Sequence, residues 1–209
     1  MPGDDLVPDP DVVLTRGITI PAPPGDVFPW LVQLGQGRGG FYSYDWLEGL
    51  AGLDIRSADR ILPQFQQLAP GDRVPVAPEP PFYGFVVASI LAPSHLVLRM
   101  RIHPLTGLAI PQEAPDAGWS LDGTWSFALS PVTETSTRLV SRTRTRLRLP
   151  LGLRHPYRLV LELAEFVMGR RMLLGIRDRA QRLAASPPSP SPRRTRRSAD
   201  RLERRGEVP

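Results

Sequence analysis

The chain contains neither cysteine nor lysine, and all 26 of its basic residues are arginine. Without cysteine there is no thiolate nucleophile, no disulfide framework and no cysteine-based zinc or iron–sulfur site. Without lysine there is no P-loop lysine, no Schiff-base chemistry and no anchor for pyridoxal phosphate. Histidine is scarce as well. His95, His103 and His155 form no i,i+4 pair and no H-E-x-x-H, so no metal site is expected. Long apolar runs are also missing. The most apolar stretch, Leu159 to Ile176, contains Glu162, Glu165, Arg170 and Arg171, too much charge for a membrane span of about 20 apolar residues. Met1 to Asp11 is acidic and proline-containing, unlike a secretory signal. These absences lead to the expectation of a cytoplasmic protein without metal or cofactor.

The 209 residues are 41% hydrophobic and 22% charged, which suits one packed domain and a tail. The charge is unevenly placed. Residues 186–209 hold seven arginines against three acids, whereas the preceding 185 residues hold 19 against 18. The basic character therefore belongs to the tail, and specific nucleic-acid binding is not expected. Residues 1–10 read as a flexible leader, 11–185 as the folded domain and 186–209 as a disordered Pro/Ser/Arg-rich tail.

Within the domain, the β-branched segment Val12 to Ile20 predicts a strand that stops at Pro21. Asp26 starts a short helix over Val27, Trp30, Leu31 and Leu34, with Pro29 placed in its first turn. The loop Gly35 to Gly40 follows. A second short helix is predicted to begin at Ser43 or Asp45 and to end near Gly49 or Gly52. Strands are predicted at 73–77, 83–91, 95–102, 121–130 and 137–149, the last two joined by a turn at 131–136. A long helix, roughly Pro156 to Ala184, closes the domain. Its expected core stripe is Leu159, Val160, Leu163, Phe166, Val167 and Leu174. The order is α+β.

That order, together with several local segments, resembles the START-like or SRPBCC superfamily (polyketide cyclase/dehydrase-like), and is closest to an actinobacterial-type subgroup. The segments are Leu14-Thr-Arg-Gly-Ile-Thr-Ile-Pro-Ala-Pro-Pro24, Val27-Phe-Pro-Trp-Leu-Val-Gln33, and above all Gly35-Gln-Gly-Arg-Gly-Gly-Phe-Tyr-Ser-Tyr-Asp-Trp-Leu-Glu48. Thr124-Trp-Ser-Phe127 and Arg138-Leu-Val-Ser-Arg142 also fit. The resemblance implies a helix-grip fold, a curved antiparallel sheet wrapped around the C-terminal helix, with two short helices after the first strand. It also implies an apolar cavity between sheet and helix that takes a lipid or polyketide-like molecule. No universal catalytic residue comes with it.

Candidate residues follow from that picture. Trp30, Phe41, Tyr42, Tyr44 and Trp46 would ring the cavity mouth, where aromatic faces stack on a planar ligand; packing of the short helices on the sheet is the competing reading. Phe166 would reach the cavity from the helix. Thr137 to Leu149 alternates, with Arg138, Arg142, Arg144, Arg146 and Arg148 on one face. If those arginines face water, Ser141, Thr143 and Thr145 point inward and could hydrogen-bond the ligand. Asp45, Glu48, Tyr42 and Tyr44 are the proton-transfer candidates should the protein be a cyclase or dehydratase. Binding of a small apolar molecule without chemistry is the preferred reading.

Two other motifs are set aside. Gly35, Gly37 and Gly40 satisfy G-x-G-x-x-G, but Pro29 precludes a central parallel strand before them, so a chain-reversing loop is expected. Gly118-Trp-Ser-Leu-Asp122 fails the nucleophile-elbow pattern at its last position. The tail arginines Arg193, Arg194, Arg196 and Arg197 leave contact with an anionic surface as a further alternative, an interaction module acting through the tail.

Overall fold

A computed structural model describes residues 1–43, 57–76, 84–112, 114–115 and 118–185. Its strands are β1 (Val12–Ile20), β2 (Arg73–Pro75), β3 (Gly84–Leu91), β4 (His95–Ile102), β5 (Ser120–Thr133) and β6 (Ser136–Arg148). They form one sheet in the order β1-β6-β5-β4-β3-β2, every neighbouring pair antiparallel. Helix α1 (Pro24–Val32) follows β1, and helix α2 (Leu151–Ala185) closes the chain. The fold is α+β, with the curved sheet and long C-terminal helix of a helix-grip arrangement. The second short helix expected after the glycine loop lies outside the described residues.

Local sequence accounts for most of these elements. In β4, Leu96, Leu98 and Ile102 turn one way and Arg99 the other, so the two-residue period of a strand separates core from outer face. The hairpin of β5 and β6 extends further than its turn residues suggest. Pro131 is retained inside β5 because the register slips between Pro131 and Thr133, and a bulge is where a strand tolerates a missing N–H. Helix α1 starts two residues earlier than Asp26, with Pro24 in its first turn. Pro29 consequently falls in the second turn, not the first, and the helix is only nine residues long.

The glycine loop is a chain reversal. Gly35, Gly37 and Gly40 all have positive φ, and Gly35 and Gly40 pair as an isolated bridge. Arg38 reaches back to the carbonyls of Val32 and Leu34 at 3.0 Å each, satisfying acceptors that the end of α1 leaves open. Gln33 is fully buried and holds the next segment, accepting from the Leu62 amide at 2.9 Å and donating to the Arg60 carbonyl at 3.2 Å.

Two expectations are corrected. The first concerns α2. It begins at Leu151 instead of Pro156, and the stripe expected in the core faces outward, with Leu159 67% and Leu163 62% exposed. The buried residues are Met172, Leu173, Gly175, Ile176 and Ala180. Charged residues crowd this second half, so it has only one apolar face to bury, and that face sets the rotation of the whole helix. Carried back at 3.6 residues per turn, it turns Leu161, Glu165 and Met168 toward the sheet.

The second correction concerns the leader and the arginine face. Residues 1–11 lie across the outer face of the sheet, with Val7 only 1% exposed. Arg142 binds Asp4 at 2.6 Å. Arg144 donates to the Val7 and Pro8 carbonyls at 3.0 and 3.1 Å, and Arg146 to the Asp9 carbonyl at 3.1 Å. Arg142, Arg144 and Arg146 therefore clamp the N-terminal strap, while Arg138 stays exposed.

Candidate functional site

The first half of α2 stands over the sheet and leaves a cavity of about 220 Å³ beneath it. Its floor is Trp125 on β5 and Phe85 on β3, Phe41 stands at one side, and Leu161, Met168 and Met172 of α2 form the roof. Trp125 is the centre of the floor. Its ring lies 6.3 Å from Phe41, 5.5 Å from Phe85 and 5.0 Å from Phe127. Its indole N–H donates to Ser141 Oγ at 2.9 Å, which fixes the ring plane and satisfies the one polar atom of the side chain. A smaller space of about 50 Å³ adjoins it, lined by Leu14, Met100, Thr143 and Thr145, and shares Phe85, Trp125, Leu161 and Glu165 with the larger one.

Among the described residues, polar groups in this cavity are few. Ser43 is buried, lines the larger cavity and has no hydrogen-bond partner among the described residues. Glu165 lines both spaces. Burial pushes its carboxyl above the ordinary carboxylate range, and the nearby Arg16 guanidinium opposes that rise without cancelling it. The ionised form is thus disfavoured in the folded state. Stability that is present below the ordinary value of 4.5 is lost as pH rises through the raised folded value. Relative to Glu165→Gln, the wild-type protein is expected to lose melting temperature over that rise. A difference between the two that stays constant with pH would overturn the assignment.

The sequence-derived candidates divide into four groups. Phe41 and Thr143 line the cavities, and Ser141 faces inward onto Trp125. Trp30 and Tyr42 are packing residues that do not line either space. Trp30 is 2% exposed, its ring meets Tyr42 edge-on at 5.8 Å, and the Tyr42 hydroxyl donates to the Trp30 carbonyl at 3.1 Å. Burial raises the Tyr42 pKa, against the smaller opposing effects of Gln33, Arg179 and Arg38, so its phenol stays protonated. Phe166 points away from the cavity, 54% exposed, with the Arg16 guanidinium 4.9 Å over its ring. Tyr44, Asp45, Trp46 and Glu48 lie outside the described residues.

Sequence reading missed Trp125, Phe85 and Glu165. For Glu165 a signal existed. Leu161, Glu165, Met168 and Met172 recur at helical spacing, but a carboxylate within an apolar stripe argues against burying that stripe, and the aliphatic set beginning at Leu159 is the more hydrophobic of the two.

The fold and the site together define the class: a helix-grip α+β protein with a mostly apolar cavity between sheet and helix. Among solved structures similar to it, a protein from Nitrosomonas europaea has a TM-score of 0.47 at 12% identity, covering 85% of this chain and 99% of that one. The Zhui aromatase/cyclase of a Streptomyces species has a TM-score of 0.37 at 11% identity, with 82% and 94% covered. The Aha1 dimer of Colwellia psychrerythraea has 0.38 at 14% identity, with 80% and 94% covered. No protein-family model and no curated protein matches the chain. At these identities nothing about ligand or activity passes from these structures to this one.

Proposed function

We propose that the protein binds a small, mostly apolar molecule carrying one polar group, held between α2 and the sheet with the polar group at Glu165. The observation that carries this is the cavity itself: an aromatic floor, an aliphatic and thioether roof and, among the described residues, one ionisable side chain and a buried Ser43 hydroxyl without a hydrogen-bond partner. Size narrows the ligand. An apolar cavity of about 150 Å³ holds one benzene ring. A space of about 220 Å³ therefore takes one or two fused rings or a short acyl chain. Glu165, kept protonated toward higher pH by its surroundings, donates a hydrogen bond to an acceptor on the ligand.

The same carboxyl supports a second reading. A carboxylic acid whose pKa is raised in an apolar site is the form of group that protonates a leaving hydroxyl or an enol oxygen, so an enzyme of cyclase or dehydratase type would use Glu165 as its acid.

Naphthol, two fused rings with one hydroxyl, is a suitable probe for titration calorimetry. Met168→Trp, which places an indole in the cavity, is expected to weaken its binding roughly tenfold or more, about 1.4 kcal/mol or above. Glu165→Leu should weaken it too without lowering the melting temperature. Equal affinity in the wild-type and Met168→Trp proteins would exclude this cavity as the site. The enzyme reading gains only if a bound substrate turns over in wild type and binds without turnover in Glu165→Gln.

A further inference from the structure

The outer face of the first half of α2 carries Leu159, Val160, Leu163, Phe166 and Val167, all exposed, on the side opposite the cavity-facing Leu161, Glu165 and Met168. This inverts the usual arrangement, in which the charged face of a surface helix meets water and the apolar face meets the core. A contiguous apolar stripe of this kind marks an interaction surface. We propose that it docks the protein on an anionic lipid surface, with α2 lying in the plane of the headgroups.

Charge selects this occupant. The stripe from Leu159 to Val167 is about 12 Å long at about 1.5 Å per residue. Interfacial insertion requires only one apolar helix face of this kind.

The surrounding charge is positive. Residues 151–171 hold four arginines against two glutamates. Arg158 and Glu162 pair at 2.7 Å, Arg154 lies 3.7 Å from Asp11, and Glu165 is turned into the cavity, which leaves the positive charge at the C-terminal end of the stripe. Arg170 and Arg171 are exposed at the end of the stripe, and Arg16 stacks on Phe166 at its edge. Two copies meeting through this face would oppose like charges, while anionic headgroups would complement them. The sequence that follows α2, residues 186–209, holds seven arginines against three acids, a charge of the same sign. No helix among the described residues is long and apolar enough to cross a membrane, so contact through this helix lies along the surface.

The test is flotation of the full chain with vesicles of phosphatidylcholine and phosphatidylglycerol in equal parts, beside vesicles of phosphatidylcholine alone. Binding to the anionic vesicles is expected, weaker on the neutral ones. It should fall roughly tenfold or more in Leu159→Glu and Leu163→Glu. Both side chains are exposed, so the melting temperature should be unchanged, which separates lost docking from lost folding. Three results would each overturn the proposal. One is no vesicle binding by wild type. Another is binding that survives both substitutions and disappears only when residues 186–209 are removed, which would assign it to the tail. The third is a wild-type dimer in sedimentation velocity that Leu163→Glu converts to monomer, which would assign the stripe to a second copy.

Discussion

Gly175→Ala is expected to destabilise the protein by about 2 kcal/mol, although alanine is the better helix former by about 1 kcal/mol. A Cβ at this position would run into the Tyr42 carbonyl oxygen and lie 2.9 Å from Tyr42 Cβ. The obstacle is backbone, so no side chain rotation relieves it. Tyr42 cannot yield easily either. It is held at φ 56, its hydroxyl is bonded to Trp30, and its ring is covered by the Arg179 guanidinium at 5.0 Å. Arg179 is in turn fixed by the Ala58 carbonyl at 2.8 Å and Asp59 at 2.9 Å. Overpacking against such a fixed group costs about 3 kcal/mol, which outweighs the propensity gain.

At about 2–4 °C per kcal/mol for a chain of this size, the melting temperature should fall by roughly 4–8 °C. Gly152→Ala in the same helix supplies the contrast. Nothing lies within 4 Å of its added Cβ, so that variant should be neutral or stabilised by up to about 1 kcal/mol. Equal effects at the two positions would mean that α2 does not approach Tyr42 as closely as described.

Removing residues 1–8 should also lower the melting temperature by roughly 4–8 °C, since a fully buried valine alone contributes about 2 kcal/mol. Val7 is that valine, and Val97, Thr124 and Ser126 on the outer face are buried with it. The effect should depend on acid. Burial of Asp4 opposes its ionisation, but the terminal ammonium and Arg142 together outweigh that and hold its pKa below the ordinary 3.8. Its contribution is therefore present above 3.8 and is lost as pH falls through the lowered folded value. The gap between the truncated and full chains should narrow over that fall. A truncation with no thermal effect would return the segment to the status of a loose leader.

The contrast between these two regions shows where sequence patterning ends. Alternation in Thr137 to Leu149 sorted arginines from inward-facing Ser141 and Thr143, because a strand's two-residue period is a local property of the backbone. Gly35 to Gly40 announced a reversal for an equally local reason: positive φ suits glycine. The antiparallel strands and the long final helix, and with them the α+β class, were legible on the same grounds. The rotation of α2 was not. Its two candidate stripes are both helical in period, and the choice fell to the packing of Met172, Leu173 and Ile176 and to the contact of Gly175 with Tyr42, a residue more than 130 positions away in the chain. That one rotation placed Glu165 inside and Phe166 outside. In the same way the amino-acid order put arginines on the outer face of β6, but only the tertiary structure brought Val7 and Asp4 across to meet them. Contacts between distant segments depend on how elements stack, and no local periodicity encodes that.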